Sequence, residues 1–104
     1  MADVLFPDGK KPIYVGSRPQ FIGTFTVNGV RTDPTAVVFK IQDPSGNETT
    51  YTYGVDAALV KDSTGVYYVF YVMDEGGEWT VRFNGTGADY DAVEYSFNVN
   101  ASVF

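Results

Sequence analysis

Two groups of carboxylates have the residue types for acid–base or metal chemistry: Asp74, Glu75 and Glu78, and Asp89, Asp91 and Glu94. A glycosidase needs two carboxyls facing each other across a groove, ~5–9 Å apart. Both groups fall on short turns of an acidic chain, where solvated loop charge is the expectation. Oxygen ligands on loops suit calcium, but Gly87–Glu94 lacks EF-hand spacing. Ser63 and Lys61 are near each other, yet a hydrolase also needs an oxyanion hole and a shaped pocket, and nothing in the sequence marks either. With no cysteine and no histidine, thiolate nucleophiles, disulfides, cysteine-based zinc sites and the usual neutral-pH base are excluded. No phosphate-cradling GxxxxGK[ST] occurs, and Pro7-Asp8-Gly9-Lys10 is an ordinary turn. Asn47-Glu48-Thr49, Asn84-Gly85-Thr86 and Asn100-Ala101-Ser102 match the glycosylation sequon, which has meaning only in a glycosylating compartment. No catalytic residue, cofactor site or metal site is expected.

The net charge of −6 argues against a phosphate-backbone binder. The charge is uneven, with residues 1–40 carrying +2 and residues 73–104 carrying −5. A solvated acidic surface accounts for this, and so would oppositely charged neighbours in an assembly. The start Met-Ala-Asp-Val-Leu-Phe-Pro lacks the basic and apolar regions of a signal peptide, and no apolar run approaches the ~20 residues that span a bilayer. A chain made in the cytoplasm, with no N-terminal export signal, is the expectation.

The elements that position these residues are strands. Apolar residues recur at a spacing of two, and turn markers fall regularly between the runs, as in a sandwich or barrel. Expected extended segments are Val4–Phe6, Ile13–Val15, Gln20–Val27, Ala36–Gln42, Glu48–Tyr53, Gly65–Val72, Glu78–Asn84 and Ala92–Val99, with a short edge strand at Ala58–Lys61. Asp43-Pro44-Ser45-Gly46 has the composition of a type I turn joining two of them. In the last segment Val93, Tyr95, Phe97 and Val99 are expected to face inward. Trp79 is the expected core anchor, on a strand that alternates cleanly. About seven strands in this length is the count of an immunoglobulin-like sandwich. Lettering them A (first 15 residues), B (20–27), C (36–42), C′ (48–53), E (65–72), F (78–84) and G (92–99) gives expected sheets A-B-E and C′-C-F-G. The whole chain, 1–104, reads as one domain: an extended segment 1–19, a sandwich body 20–99 and a tail 100–104.

Gly65–Val72 breaks the rule of one apolar face. Tyr67, Val69, Tyr71 and Met73 alternate with Val66, Tyr68, Phe70 and Val72, so either both sides are covered or one is offered to a partner. The tail Ala101-Ser102-Val103-Phe104 raises the same question. Tyr68, Phe70, Val103 and Phe104 are therefore the candidate contacts.

The order DPTAVVFKIQDPSG, TYTYG, VKDSTGVYYVFYV, GEWTVRFNGTG, EYSFNV resembles the Ig-like modules of bacterial surface proteins and tailed-bacteriophage virions, from about Gln20 to Val99. The shared markers are Asp33-Pro34, Asp43-Pro44-Ser45-Gly46, Asp62 with Gly65, Gly77 with Trp79, and Phe97-Asn98-Val99. Unlike antibody domains, the chain has no inter-sheet cysteine pair. The resemblance implies a non-enzymatic structural protein of a tailed-phage virion, assembled in the host cytoplasm. A capsid decoration protein is the first form of that expectation and a neck or tail accessory the second. Its partners would be other capsid or tail subunits, itself included, with no nucleic acid and no membrane. The alternative is a carbohydrate- or receptor-binding adhesion module using Tyr51, Tyr53 and Tyr90.

Overall fold

Alternating apolar residues build ten strands in a computed structural model that describes residues 2–5, 13–87 and 91–101, with side chains described for 13–87 and 92–101. The strands are β1 (Ala2–Leu5), β2 (Ile13–Tyr14), β3 (Gln20–Val27), β4 (Val30–Arg31), β5 (Ala36–Gln42), β6 (Glu48–Thr52), β7 (Val60–Ser63), β8 (Val66–Phe70), β9 (Gly77–Thr86) and β10 (Asp91–Asn100). They form an all-β, two-sheet sandwich. One sheet has the order β1-β3-β8-β7, with β4 also paired to β3, and the other has the order β2-β10-β9-β5-β6. All the pairings are antiparallel except β10 with β2.

β3 and β5 have the boundaries their alternation predicts. The Asp43–Gly46 turn also forms as expected: Gly46 donates its N–H to the Asp43 carbonyl at 3.0 Å, and the Asp43 carboxylate accepts the Asn47 N–H at 2.8 Å. Several segments differ. The expected edge strand Ala58–Lys61 lies two residues later, as β7, and β2, expected with strand A in sheet A-B-E, instead flanks β10 in the other sheet. Asn28-Gly29 does more than close β3. With φ of 52° and 80° it makes a two-residue hairpin turn of the kind that needs two left-handed residues, pairing Val27 with Val30. The expected strand Gly65–Val72 shortens to Val66–Phe70. Residues 71–73 nevertheless stay beside residues 16–19, through Tyr71 N–H to Pro19 O (3.2 Å) and Met73 N–H to Ser17 O (2.8 Å).

Aromatic rings fill the space between the sheets. Phe21, Phe39, Tyr67, Trp79 and Phe83 are fully buried, with Val37, Ile41, Val69, Met73 and Val81 around them. Trp79 is 1 % exposed and donates its indole N–H to the Glu75 carbonyl at 2.9 Å, so the buried ring has no unsatisfied polar atom. Tyr95 departs from expectation and remains 45 % exposed. Among the described residues β2 flanks β10 only at Val99 and Asn100, and no described strand borders β10 on that side at Tyr95.

Two close approaches set the separation of the sheets. A methyl group at Gly23 of β3 would lie 2.7 Å from the Phe83 ring of β9, and one at Gly85 of β9 would lie 2.7 Å from the Phe25 ring of β3. Each strand thus contributes one ring and one gap, and the large-against-small packing is reciprocal.

Asp33 fixes where β8 begins. Its carboxylate accepts the Lys61 ammonium (2.8 Å), the Gly65 N–H (2.7 Å) and the Tyr67 hydroxyl (3.3 Å). One side chain therefore ties the segment before β5 to β7, to the turn after it and to β8. Gly65 has φ +74°, and a methyl group there would meet the Phe25 carbonyl oxygen at 2.7 Å, so three segments converge on a position that only glycine fits. The Lys61 hydrogen bond and then the Gly65 N–H hold the Asp33 carboxyl below its ordinary 3.8. Burial, then the Asp33 charge, pushes the Tyr67 hydroxyl up to about 12.

Gly23→Ala and Gly85→Ala are each expected to destabilise the fold by about 1–3 kcal/mol, as overpacked cores do, read from the shift in urea midpoint. The Asp33 cluster predicts the pH profile. Because the folded Asp33 carboxyl lies below its unfolded value, its contribution is present above pH 3.8 and is lost as pH falls through the lower folded value. Because the folded Tyr67 hydroxyl lies above its unfolded value of 10.0, its contribution holds below pH 10 and is lost as pH rises through about 12. Urea midpoints across pH should show both limbs, and Asp33→Asn should lower the plateau while flattening the acid limb.

Candidate interaction surface

Each sheet has one face on the core and one facing out, and the two outward faces differ in chemistry. On the second sheet the outward residues are mostly polar, Ala36, Val38 and Ala92 apart, and several are paired with one another. Arg82 pairs with Glu94 at 3.3 Å and donates from Nε to Asn84 at 2.7 Å, Lys40 lies 3.8 Å from Glu48, and the Thr80 and Ser96 hydroxyls are 2.9 Å apart. Exposed pairs of this kind contribute at most about 1 kcal/mol each. They make a solvated surface.

The outward face of the first sheet is apolar at its centre. Alternation along β8 sends Tyr67 and Val69 into the core and Tyr68 and Phe70 outward. Register then supplies their neighbours. Ile22 of β3 is opposite Tyr68, Gln20 is opposite Phe70, and Val60 of β7 flanks Tyr68 on its other side. The Tyr68 and Phe70 rings meet edge to face with centroids 5.6 Å apart. The Arg18 guanidinium carbon is 4.8 Å from the Phe70 centroid, a cation–π contact worth about 0.5–1 kcal/mol at an exposed site. Phe70 is 40 % exposed and Val72 49 %, while Tyr68, Ile22 and Val60 are half-buried. β1 extends the sheet beside β3, with Leu5 opposite Ile22, and so adds width without lying over β8. The exposed part of the face is the Tyr68–Val72 end; Val66, on the same side at the start of β8, is buried.

Of the four candidate contacts, Tyr68 and Phe70 thus lie side by side on one face, and Val103 and Phe104 lie outside the described residues. Ile22, Val60 and Val72 belong to the same patch and were not among the candidates. The signal for Ile22 was its place opposite Phe21 and Phe25 in the alternation of β3.

The other candidates are occupied or scattered. Lys61 is committed to Asp33, whose hydrogen bond, and then its negative charge, raise the pKa of the ammonium. The Glu75 carboxylate accepts the Ser45 hydroxyl at 2.6 Å. Glu94 is paired with Arg82, Asp89 lies outside the described residues and the Asp91 side chain is not described. Among the described residues no three acidic side chains gather around one point. Tyr51 stacks on Phe39, with centroids 6.3 Å apart, and is a flank of the core. Tyr53 borders an open depression with Val55, Asp56 and Leu59, where the Asp56 carboxylate already accepts the Thr52 N–H at 2.8 Å. Tyr90 lies outside the described residues.

No protein-family model and no curated protein matches the chain. Among solved structures, the fold is similar to part of a DUF4785 family protein from Legionella pneumophila, with a TM-score of 0.66 at 12 % sequence identity. The match covers 96 % of this chain and 28 % of that one, so the chain spans little more than a quarter of that protein's length, and the likeness is one of fold.

Proposed function

We propose that this chain is an immunoglobulin-like module acting as a non-enzymatic structural protein of a tailed-phage virion, most simply a capsid decoration protein, held in place by the outward face of its first sheet. The immunoglobulin-like reading rests on strand order. In antibody lettering the sheets become A-B-E-D and A′-G-F-C-C′, with β1 and β2 as the two halves of a first strand that changes sheets, and this grouping follows that of the immunoglobulin fold. The virion reading rests on the sequence resemblance.

The observation that carries a contact role is the contrast between the two outward faces. An isolated exposed aromatic is ordinary, but Tyr68, Phe70, Ile22, Val60 and Val72 are contiguous, and contiguous apolar surface marks interaction sites. Its size defines its part. Three strands about 4.8 Å apart and five residues at about 3.4 Å each give roughly 250 Å² of footprint, against about 800 Å² per partner in a standard interface. The patch is then the anchor of a larger contact, with Arg18 at its rim selecting an acidic or carbonyl-rich neighbour.

Mass spectrometry of tailed-phage particles purified from the source should find the chain in many copies per head. Purified chain should also re-bind heads that lack it. Tyr68→Ser with Phe70→Ser should weaken re-binding by roughly 100-fold, as loss of two buried aromatic anchors does, while Glu94→Ala on the opposite face leaves it unchanged. Absence from particles, or binding to glycans in place of heads, would contradict the reading.

A further inference from the structure

β6 is the outer edge of the second sheet, and its register shows which backbone groups are left over. Tyr53 donates to the Val37 carbonyl at 3.0 Å and Asp43 to the Asn47 carbonyl at 2.9 Å. Both belong to the ladder that pairs Ile41 with Thr49 and Phe39 with Tyr51. In an antiparallel ladder the hydrogen-bonded pairs recur at every second residue, so Thr49 and Tyr51 bond to β5. The N–H and C=O groups of Glu48, Thr50 and Thr52 then point away from it. Thr52 is already capped: its N–H reaches the Asp56 carboxylate at 2.8 Å, and its carbonyl accepts Val55 (3.1 Å) and Asp56 (2.9 Å). Glu48 and Thr50 have no such cap among the described residues.

Edges are normally blunted by bulges, lysine or proline. The edge strand β7 carries a register shift between Lys61 and Ser63. β6, with the sequence ETTYT, has no bulge, lysine or proline, and its one charge is at its first residue, Glu48.

We infer that β6 pairs antiparallel with β6 of a second copy of this chain, about a two-fold axis through Thr49. This register places Glu48 opposite Thr50 of the second copy, and the reverse. Each of those residues exchanges both of its free groups, so four hydrogen bonds form and no uncapped group on either edge is left over. The neighbouring registers do worse. An axis at Thr50 sets Glu48 against the capped Thr52, and an axis at Glu48 brings like charges directly opposite. A two-fold contact of this kind is self-complementary and closed.

Side chains agree with the register. On the outward face Glu94, Arg82, Lys40 and Thr50 form a row across four strands, and pairing continues it with Glu48 of the second copy, placing an acid beyond two adjacent cations. On the core side, the Thr49 hydroxyl lies 3.2 Å from the Tyr71 hydroxyl. Tyr51 and Tyr71, both only partly buried, gain cover. This pairing uses the opposite sheet from the apolar patch and stands apart from the proposed virion contact.

Amide hydrogen exchange across protein concentration tests it, with sedimentation equilibrium on the same samples. The Glu48 and Thr50 amides should slow as concentration rises to millimolar and a dimer appears, while the Thr52 amide, capped within its own chain, stays constant. Thr50→Pro removes one outward N–H at an edge position where proline is tolerated. It should raise the dimer dissociation constant by about tenfold, the effect of two lost hydrogen bonds. A chain that remains monomeric, or a dimer that leaves Glu48 and Thr50 unprotected, would overturn the pairing. Should Thr50→Pro fail to fold, the wild-type exchange pattern alone decides.

Discussion

The sheets can approach as closely as they do because Phe83 of β9 lies over Gly23 of β3 while Phe25 of β3 lies over Gly85 of β9. Each ring needs the absence of a side chain on the opposite strand, so the two contacts fix both the spacing and the relative slide of the sheets. With that spacing set, Trp79 and Tyr67 are fully enclosed, and β8 is held at the centre of the first sheet with one face wholly used by the core. Dispersion contacts in such a seam are individually about 0.1–0.2 kcal/mol and matter through their number, so a single misplaced methyl is felt across it.

What the core does not use defines the surface. β8 has only five residues, yet both of its faces are apolar. The inward side is spent on Tyr67 and Val69, which leaves Tyr68 and Phe70 facing out beside Ile22 and Val60. β9, equally central in its own sheet, alternates apolar with polar and presents Thr80, Arg82 and Asn84 to solvent. The difference between two central strands is the physical content of the functional reading. A sheet face required only for folding would read like β9. Asp33 adds to this by holding the first residues of β8 in register, so the outward rings are presented from a strand fastened at its start.

Much of the fold was legible in the residues, and what was missed has identifiable causes. Gln20–Val27 and Ala36–Gln42 are strictly alternating and bounded by turn residues, so their ends could be read directly. Val30–Arg31 is too short to carry a period, although Asn28-Gly29 announces a hairpin. The Asp33 cluster joins residues about thirty positions apart, and the two glycine–phenylalanine contacts join opposite sheets; neither leaves a local pattern. Tyr68 and Phe70 were visible as surplus apolar residues. Their companions Ile22 and Val60 became visible only once register placed them alongside.

In the proposed role the outward face of the first sheet is a contact surface and that of the second is not. Side-chain oxidation footprinting of the chain, free and on intact particles, measures this directly. Tyr68 and Phe70 should react readily in the free chain and become protected on the particle, with Tyr53 unchanged as an internal reference. Equal reactivity of Tyr68 and Phe70 in both states would contradict it.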